Sequence, residues 1–250
     1  MSIGKKSYYI IYVLIGTLIL ATGLIFILRS NIEFVKQIPN LKKYAILLGI
    51  GGSLLASSIV YFLDLVKDLY KSNLQKKISN VIFDAGIEEI YRKRDLDKYD
   101  VLIKDLNNSI DISGYSLNAF NDSYSHILKQ KLAKNSSIRI RILLVNPNSY
   151  YAKERENQEG NAENTYLNSV NKIIDTYKDS INVSIRIVDT PLPTMFFRID
   201  NVLFIGPHLY KRSSKSTVTY ELRKSGWLFD EYQNDFVRLW ESGKECKEKI

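Results

Sequence analysis

An arginine in the second half of the chain has the chemistry to bind a phosphate group. Arg198 stands between Phe197 and Ile199, so in a strand its side chain points away from the face that its neighbours share. A guanidinium placed in this way could bind phosphate through two parallel hydrogen bonds. It could equally pair with Asp200, Glu221 or another carboxylate. The sequence leaves both arrangements open.

The segment after the next strand adds a histidine and several cations. His208 is one of two histidines, and its neighbours Pro207 and Leu209 predict a partly buried ring. Such a ring more often satisfies backbone groups than a ligand. Tyr210 and the basic run 211–216 follow, and this run could close over an anion or be solvated. The segment therefore predicts an anion-binding loop or an exposed basic turn.

Hydrophobic periodicity predicts an alternation of strands and helices around these residues. Alternating or wholly apolar runs, typical of strands, occupy residues 110–114, 138–145 and 183–188. Apolar residues at every third or fourth position predict helices at 120–132 and 162–177, with a polar loop at 146–160. This order implies parallel strands joined by right-handed crossovers.

The following residues predict an antiparallel extension of the same sheet. Three more strands are predicted, at residues 195–199, 202–205 and 217–222. Asp200 and Asn201 are a tight-turn signal between the first two, which predicts a hairpin. A helix at 229–240 closes the chain. The predicted fold is an α/β domain whose mixed sheet is flanked by helices.

This order of elements, together with the run FRIDNVLFIG at 197–206, resembles one repeat of the phospholipase D-like superfamily over about residues 80–242. In that family a histidine seven residues before the aspartate attacks phosphorus, and a lysine five residues before it holds the phosphate. Aligning Asp200 with the aspartate puts Pro193 and Met195 at those positions. The resemblance implies the family's fold without its catalytic residues, as in a divergent subgroup often joined to membrane segments.

The resemblance also implies where a binding cleft would lie. It should form where strand ends converge, and the predicted ligand-binding residues are Asn146, Arg198, His208, Tyr210, Lys211, Arg212 and Glu221. Elsewhere, no metal-ligand spacing, serine elbow or paired-carboxylate pattern occurs in the sequence. Neither a metal nor another cofactor is expected.

Two charge-free runs near the N-terminus predict transmembrane helices. No charged residue occurs at 7–28 or at 44–63, and about 20 helical residues cross the roughly 30 Å hydrocarbon core of a bilayer. We expect spans at about 8–28 and 44–63 in a hairpin of residues 1–65. A helical stalk at 66–95 and the α/β domain at 96–250 would follow.

Small residues in the second predicted span favour close helix packing. They fall on two faces, with Gly49, Ser53 and Ser57 on one and Gly52 and Ala56 on the other. In lipid, small residues allow helix backbones to approach closely. The partner would be the first span, at Thr17 and Ala21, or a helix of another chain.

Basic residues beside the spans favour both termini inside. Six lie outside the hairpin loop, Lys5, Lys6, Lys67, Lys71, Lys76 and Lys77, and four lie in it, Arg29, Lys36, Lys42 and Lys43. The lone Cys246 agrees with a reducing compartment. We expect a multi-pass inner (plasma) membrane protein with both termini and the large domain in the cytoplasm.

A phosphodiester-binding fold without catalytic residues, joined to a membrane hairpin, suggests a sensor tied to an effector. This combination resembles membrane effectors of bacterial anti-phage signalling systems, which damage the inner membrane. The domain would bind a phosphorylated ligand such as a signalling nucleotide and control hairpin assembly. One alternative is a membrane-anchored phosphodiesterase or phospholipase using displaced residues such as His208 and Glu221. Another is a non-enzymatic scaffold.

Charge and family resemblance also predict the partners. The net charge of +8 fits anionic lipids, nucleotides or nucleic acid. Nucleic acid ranks last, because the chain lacks the aromatic-basic alternation typical of a single-strand groove. Family sites are built from two repeats and this chain has one. We therefore expect a homodimer or a larger homo-oligomer.

Overall fold

The computed structural model of the protein describes residues 14–25, 28–29 and 41–250. The chain divides into two compact units, Met1–Ser79 and Asn80–Ile250. Part of the predicted first span at 8–28, and most of the loop that follows it, lie outside the described residues. The orientation inferred from the charges of that loop therefore stays a prediction.

The first unit contains an apolar helix, α1 (Leu14–Ile25), and most of a 45-residue helix, α2 (Leu41–Ala85). Among the described residues, one helical stretch is long and apolar enough to cross a membrane. It is Gly49–Ala85, with a mean hydropathy of 1.6 over its most apolar part. Helix α1 is apolar but shorter. Length and composition thus favour one span, and the two-span hairpin stays a prediction.

Helix α1 packs against α2 through glycines of its own. A Cβ atom on Gly23 would lie 3.4 Å from the backbone nitrogen of Leu55, and one on Gly16 would lie 3.5 Å from the Tyr61 ring. Around Gly49 and Gly52 no described atom lies within 4 Å of such a Cβ. The predicted small-residue faces of α2 are therefore not the surfaces that contact α1.

Helix α2 continues unbroken from the predicted span into the predicted stalk, but it ends at Ala85. Gly86 follows with φ +77°, a left-handed conformation that glycine adopts without steric cost. The next residues form strand β1 (Ile87–Tyr91), which pairs with a later strand. The expectation that the stalk stays helical to residue 95 is wrong, because the chain joins the sheet directly after Gly86.

The second unit is built on one eight-stranded sheet. After β1 its strands are β2 (Ser109–Gly114), β3 (Arg139–Val145), β4 (Val183–Val188), β5 (Thr194–Ile199), β6 (Val202–Pro207), β7 (Thr219–Arg223) and β8 (Lys244–Glu245). Their order across the sheet is β1-β7-β6-β5-β2-β3-β4-β8. Strands β2, β3 and β4 are parallel, and the remaining pairings are antiparallel. The predicted mixed sheet is confirmed.

Five helices follow α2. They are α3 (Leu96–Lys104), α4 (Asn118–Lys134), α5 (Tyr150–Gln158), α6 (Thr165–Tyr177) and α7 (Trp227–Ser242). Helix α5 lies in the segment predicted to be a polar loop. It is capped by the Ser149 hydroxyl, which accepts from the Ala152 amide, and it buries only Ala152, Arg155 and Glu156. The sequence of α5 has almost no apolar periodicity, so hydrophobic patterning does not predict this helix.

Alternation along the strands divides the core into two layers. Ile110 and Ile112 of β2 face α3, α4 and α6, whose buried side chains include Tyr99, Phe120 and Val170. The opposite face of the sheet packs against Phe229, Phe236 and Trp240 of α7. The predicted sheet flanked by helices is confirmed, and the structure places helices on both of its faces.

Candidate ligand-binding site

The carboxyl ends of β2, β3 and β4 meet at one edge of the sheet. Tyr115, Asn146 and Asp189 follow these strands. Strand β6 runs in the same direction as β2, because β5 lies between them and is antiparallel to both, so β6 also ends at this edge, just before His208. Open α/β sheets bind ligands at such an edge. The Asn146 side-chain amide donates to Asp189 at 2.7 Å, so this predicted site residue is already engaged.

His208 is held at this edge with a neutral ring. Its backbone amide donates to the Pro193 carbonyl at 3.0 Å, and its ring lies edge-on to Tyr115 with centroids 5.3 Å apart. Burial, then the positive charges of Arg155 and Arg94, lower the pKa of His208 to about 3. Within the described part of the chain, both ring nitrogens are buried without hydrogen-bond partners. The backbone contacts expected for this ring are absent among those residues.

Two polar atoms at and just before α3 are also buried and unpaired. They are Arg94 Nε, just before α3, and Tyr99 Oη, on α3, and neither has a hydrogen-bond partner among the described residues. Burial lowers the pKa of Arg94, and the charge of Arg94 in turn helps to lower the pKa of His208. Tyr99 is separate from His208, because its ring lies 4.6 Å from the Phe204 ring, centroid to centroid, against the middle of β6.

Arg155 on α5 forms hydrogen bonds to the backbone of the basic segment 209–212 beside the site. Its guanidinium donates to Glu159 at 2.6 and 2.9 Å, to the Leu209 carbonyl at 2.8 Å and to the Arg212 carbonyl at 2.7 Å. Only 6% of Arg155 is exposed, so these bonds are shielded from water. The chain from 209 to 212 is therefore held against α5.

The basic segment itself lies at the surface. Lys211 has φ +50°, and its ammonium lies 5.3 Å from the centroid of the exposed Tyr210 ring. Arg212 is exposed as well. Tyr210, Lys211 and Arg212 thus sit beside His208, where cations would be available to an anion at the strand-end edge.

Arg198 lies elsewhere, on the sheet face that packs against α7. Its guanidinium donates to Asp111 at 2.6 and 2.9 Å and to the Asp200 carbonyl at 2.8 Å. Asp111 also receives two 2.7 Å bonds from Arg141. Burial acts to raise the pKa of Asp111, but the hydrogen bonds and charges of the two arginines outweigh it and lower that pKa. Arg198 is therefore engaged in the structural ion pair that the sequence left open.

Glu221 is also apart from the strand-end edge. It pairs with Phe204 across β6 and β7, four residues before His208, which corresponds to about 13 Å along a strand. Its carboxylate accepts from Tyr91 at 2.5 Å and lies 3.3 Å from the Lys98 ammonium. Burial, then hydrogen bonds to Glu221 and Glu89, raise the pKa of Tyr91. Glu221 and His208 do not form a pair.

The two positions aligned with the family's catalytic residues carry no catalytic group. Pro193 lies just before β5 and is exposed, with its carbonyl bonded to His208. Met195 is 4% exposed and packs in the core beneath α3, α4 and α6. A proline and a buried thioether supply neither a nucleophile nor a cation for phosphate.

A hollow of about 480 Å³ lies away from this edge, on α6 and the C-terminal segment. It is lined by Asn168, Asn171, Lys172, Asp175, Thr176 and Lys249. Lys249 pairs with Asp175 at 2.6 Å, so the charges here compensate one another. Across the residues that the structure describes, no group of three or more His, Cys, Asp or Glu side chains could hold a metal ion.

Sequence reasoning missed Arg94, Tyr99 and Arg155. Arg94 belongs to a charged stretch that was assigned to the stalk, and Arg155 belongs to the segment predicted as a loop. Tyr99 lies in a short helix with no feature that marks its hydroxyl. No local pattern identifies these residues, because their burial and their contacts depend on how α3 and α5 pack on the sheet.

Comparison with known proteins gives matches among solved structures only. Neither family models nor curated proteins match the chain. TrmBL2, an archaeal chromatin protein whose structure shows a novel mode of DNA binding, is 15% identical with a TM-score of 0.43, covering 78% of this chain and 70% of that one. Nuc from Salmonella typhimurium, a phospholipase D family member, is 12% identical with a TM-score of 0.40, covering 60% and 91%.

A third similar structure is phosphatidylserine synthase from Haemophilus influenzae. It is 12% identical with a TM-score of 0.39, and the match covers 60% of this chain and 36% of that one. The chain thus spans little more than a third of that enzyme. Members of the phospholipase D family are among the structures that the chain resembles, but at TM-scores below 0.5 no family membership or residue role follows.

Proposed function

We propose that the second unit is a catalytically silent binding domain for a phosphorylated ligand, such as a signalling nucleotide, and that α2 anchors it to the inner membrane. The observation that carries the proposal is that three nitrogens, Arg94 Nε and both ring nitrogens of His208, are buried without partners in the described ranges, with the charge of Arg94 acting on the His208 ring. An unpaired buried polar group costs about 1–3 kcal/mol. Proteins keep such groups where a ligand or an ordered water completes them.

The chemistry of these atoms suits phosphate oxygens. Arg94 Nε–H and the N–H of the neutral His208 ring can each donate a hydrogen bond. Phosphate oxygens only accept, and bonds between a guanidinium and an anion are the strongest of this kind. Lys211 and Arg212, exposed beside the site, would attract an anion from solution.

The same geometry argues against hydrolysis through displaced residues. Histidine catalysis needs a partner that orients the ring and balances its charge. No carboxylate among the described residues bonds to His208, and Glu221 is held by Tyr91 and Lys98. Binding without chemical conversion is the function that fits these contacts.

Ligand entry would connect the site to the rest of the chain. The three nitrogens are buried, so a ligand must displace side chains that cover them. The neighbouring segment 209–212 is held by hydrogen bonds from Arg155. Binding can change membrane assembly only if the ligand favours one assembly state over the other. We propose that this coupling controls assembly of the membrane segment and disrupts the membrane in anti-phage defence.

Thermal unfolding of the full chain in detergent tests this proposal. Inorganic phosphate and a panel of linear and cyclic nucleotides would be added separately. A ligand at 100 times its Kd should raise Tm by about 5–10 °C. The Arg94→Gln variant should lose this shift while keeping or raising its own Tm, because Arg94 gives up no hydrogen bond.

The matched control is Arg238→Gln. Arg238 is an exposed arginine paired with Asp235 on α7, so its replacement should leave the ligand-induced shift unchanged. If no phosphorylated compound moves Tm, the buried atoms hold only water and the proposal fails. Hydrolysis of a phosphodiester that is lost in His208→Ala would also contradict a silent domain.

A further inference from the structure

The two ring nitrogens of His208 require different partners. A neutral imidazole has one N–H donor and one bare nitrogen that accepts. Both atoms are buried, and neither has a hydrogen-bond partner in the part of the chain that the structure describes. The two nitrogens point in different directions from the ring, so a single ligand atom cannot bond to both.

The surroundings of His208 keep the ring neutral. Burial and the charges of Arg155 and Arg94 all disfavour a proton on the ring. The Tyr115 ring contacts it edge-on, and Glu159 is committed to Arg155 by two hydrogen bonds. The bare nitrogen therefore remains an acceptor, and a ligand must bring a donor to it.

Building on the proposed function, we infer that the ligand carries a hydroxyl group beside its phosphate and that this hydroxyl donates to the bare ring nitrogen of His208. A plain phosphodiester offers only acceptors, which match Arg94 Nε–H and the ring N–H but leave that nitrogen unpaired. A neighbouring hydroxyl completes the set. Ribonucleotides and phosphoglycerol lipid head groups share this chemistry, whereas deoxyribonucleotides lack the 2′-hydroxyl.

Matched ligand pairs of equal charge test the inference on the full chain in detergent. The first pair is adenylyl-(3′→5′)-adenosine and its 2′-deoxy counterpart. The second is dihexanoyl phosphatidylglycerol and dihexanoyl phosphatidylpropanol, which differ in the head-group hydroxyls. Dissociation constants would be measured by thermal shift and by calorimetry. In at least one pair, the hydroxyl-bearing member should bind at least about tenfold more tightly, as expected for one hydrogen bond to a buried group.

The His208→Phe variant separates this contact from general affinity. Phenylalanine keeps the edge-on ring contact with Tyr115 but removes both nitrogens. The ratio of the two dissociation constants within each ligand pair should therefore fall to about one. The pair that shows the preference identifies the source as a nucleotide or a lipid head group. Equal binding within both pairs overturns the inference and leaves the proposed function standing. If no member of either pair binds, and the nucleotide panel also fails, both are wrong.

Discussion

At the scale of single residues, the buried carboxylate of Asp111 is the centre of an ion-pair network. It is 1% exposed and accepts from Arg141, Arg198 and Gln233. Arg141 in turn lies over the Phe236 ring, with 5.1 Å to the centroid. One carboxylate thus balances two arginines beneath α7. Breaking such a buried pair costs more than the pair itself contributes, because it leaves uncompensated charge.

Asp111→Ala should therefore destabilise the second unit strongly. Two guanidinium groups would lose their buried anion, at a cost of about 3–5 kcal/mol. Urea unfolding of the full chain in detergent, followed by tryptophan fluorescence, measures this change. The control is Asp235→Ala, which breaks an exposed pair with Arg238 and should cost less than about 1 kcal/mol. Similar losses in the two variants would contradict a structural role for Asp111.

His208 should make the free energy of unfolding fall as the pH is lowered. The unfolded chain binds a proton at this residue near pH 6.5, but burial and the charges of Arg155 and Arg94 lower the pKa in the folded state to about 3. Between these values the unfolded state holds more protons, so the free energy of unfolding falls as pH drops. From pH 7 to pH 5 the contribution is on the order of 2 kcal/mol.

The check is urea unfolding at pH 7 and pH 5 for the parent chain and for His208→Phe. The variant should lose this part of the pH dependence, because phenylalanine does not titrate. An unchanged pH dependence in His208→Phe would show that the ring is protonated in the folded state as readily as in the unfolded one.

At the scale of secondary-structure elements, two glycines join the end of α2 to the start of α7. Gly86 has φ +77°, and its carbonyl accepts from the Arg223 amide at 2.9 Å. A Cβ on Gly86 would lie 2.6 Å from the Gly226 Cα. The backbones therefore touch, and this contact fixes where the helix ends and β1 begins.

Gly86→Ala should lower the free energy of unfolding by more than the cost of the left-handed backbone conformation alone. The left-handed conformation costs about 1–2 kcal/mol for alanine, and the clash with Gly226 adds about 1–3 kcal/mol. Gly160→Ala is the matched control, since Gly160 has φ +70° but no described atom within 4 Å of the added Cβ. Unfolding free energies of the two variants would be compared. If the two variants lose the same free energy of unfolding, the contact between Gly86 and Gly226 does not contribute to stability.

At the scale of the whole molecule, an apolar stripe on α2 is left uncovered beyond the predicted span. Tyr70, Leu74 and Ile78 are 72%, 48% and 52% exposed. Exposed apolar surface of this kind commonly marks a contact with another chain. The stripe therefore suits self-association of the chain.

We expect a homodimer or larger oligomer in detergent. Light scattering coupled to size exclusion should give at least twice the mass of one chain, and Leu74→Glu should lower that mass by placing a charge on the stripe. Lys76→Glu, on another face of α2, is the control and should leave the mass unchanged. A chain that stays monomeric over a wide concentration range would contradict this expectation.

Local features of this protein could be predicted because they are properties of short segments. Alternation marked β3, and Asp200 and Asn201 marked the hairpin between β5 and β6. Each depends on residue types within about ten positions, where backbone geometry imposes a fixed period. The same reasoning found no trace of α5, since that helix buries few apolar side chains.

The partners of charged side chains were decided by tertiary structure. Arg198 meets Asp111, 87 residues away, only because β5 lies beside β2 in one particular register. The burial of the unpaired nitrogens of Arg94 and His208 likewise depends on how distant segments pack on the sheet. The sequence by itself determined most of the elements of the second unit, but not β1 or α5. The fold alone determined which polar groups were satisfied and which were left without partners among the described residues, because those contacts depend on register and packing between distant segments.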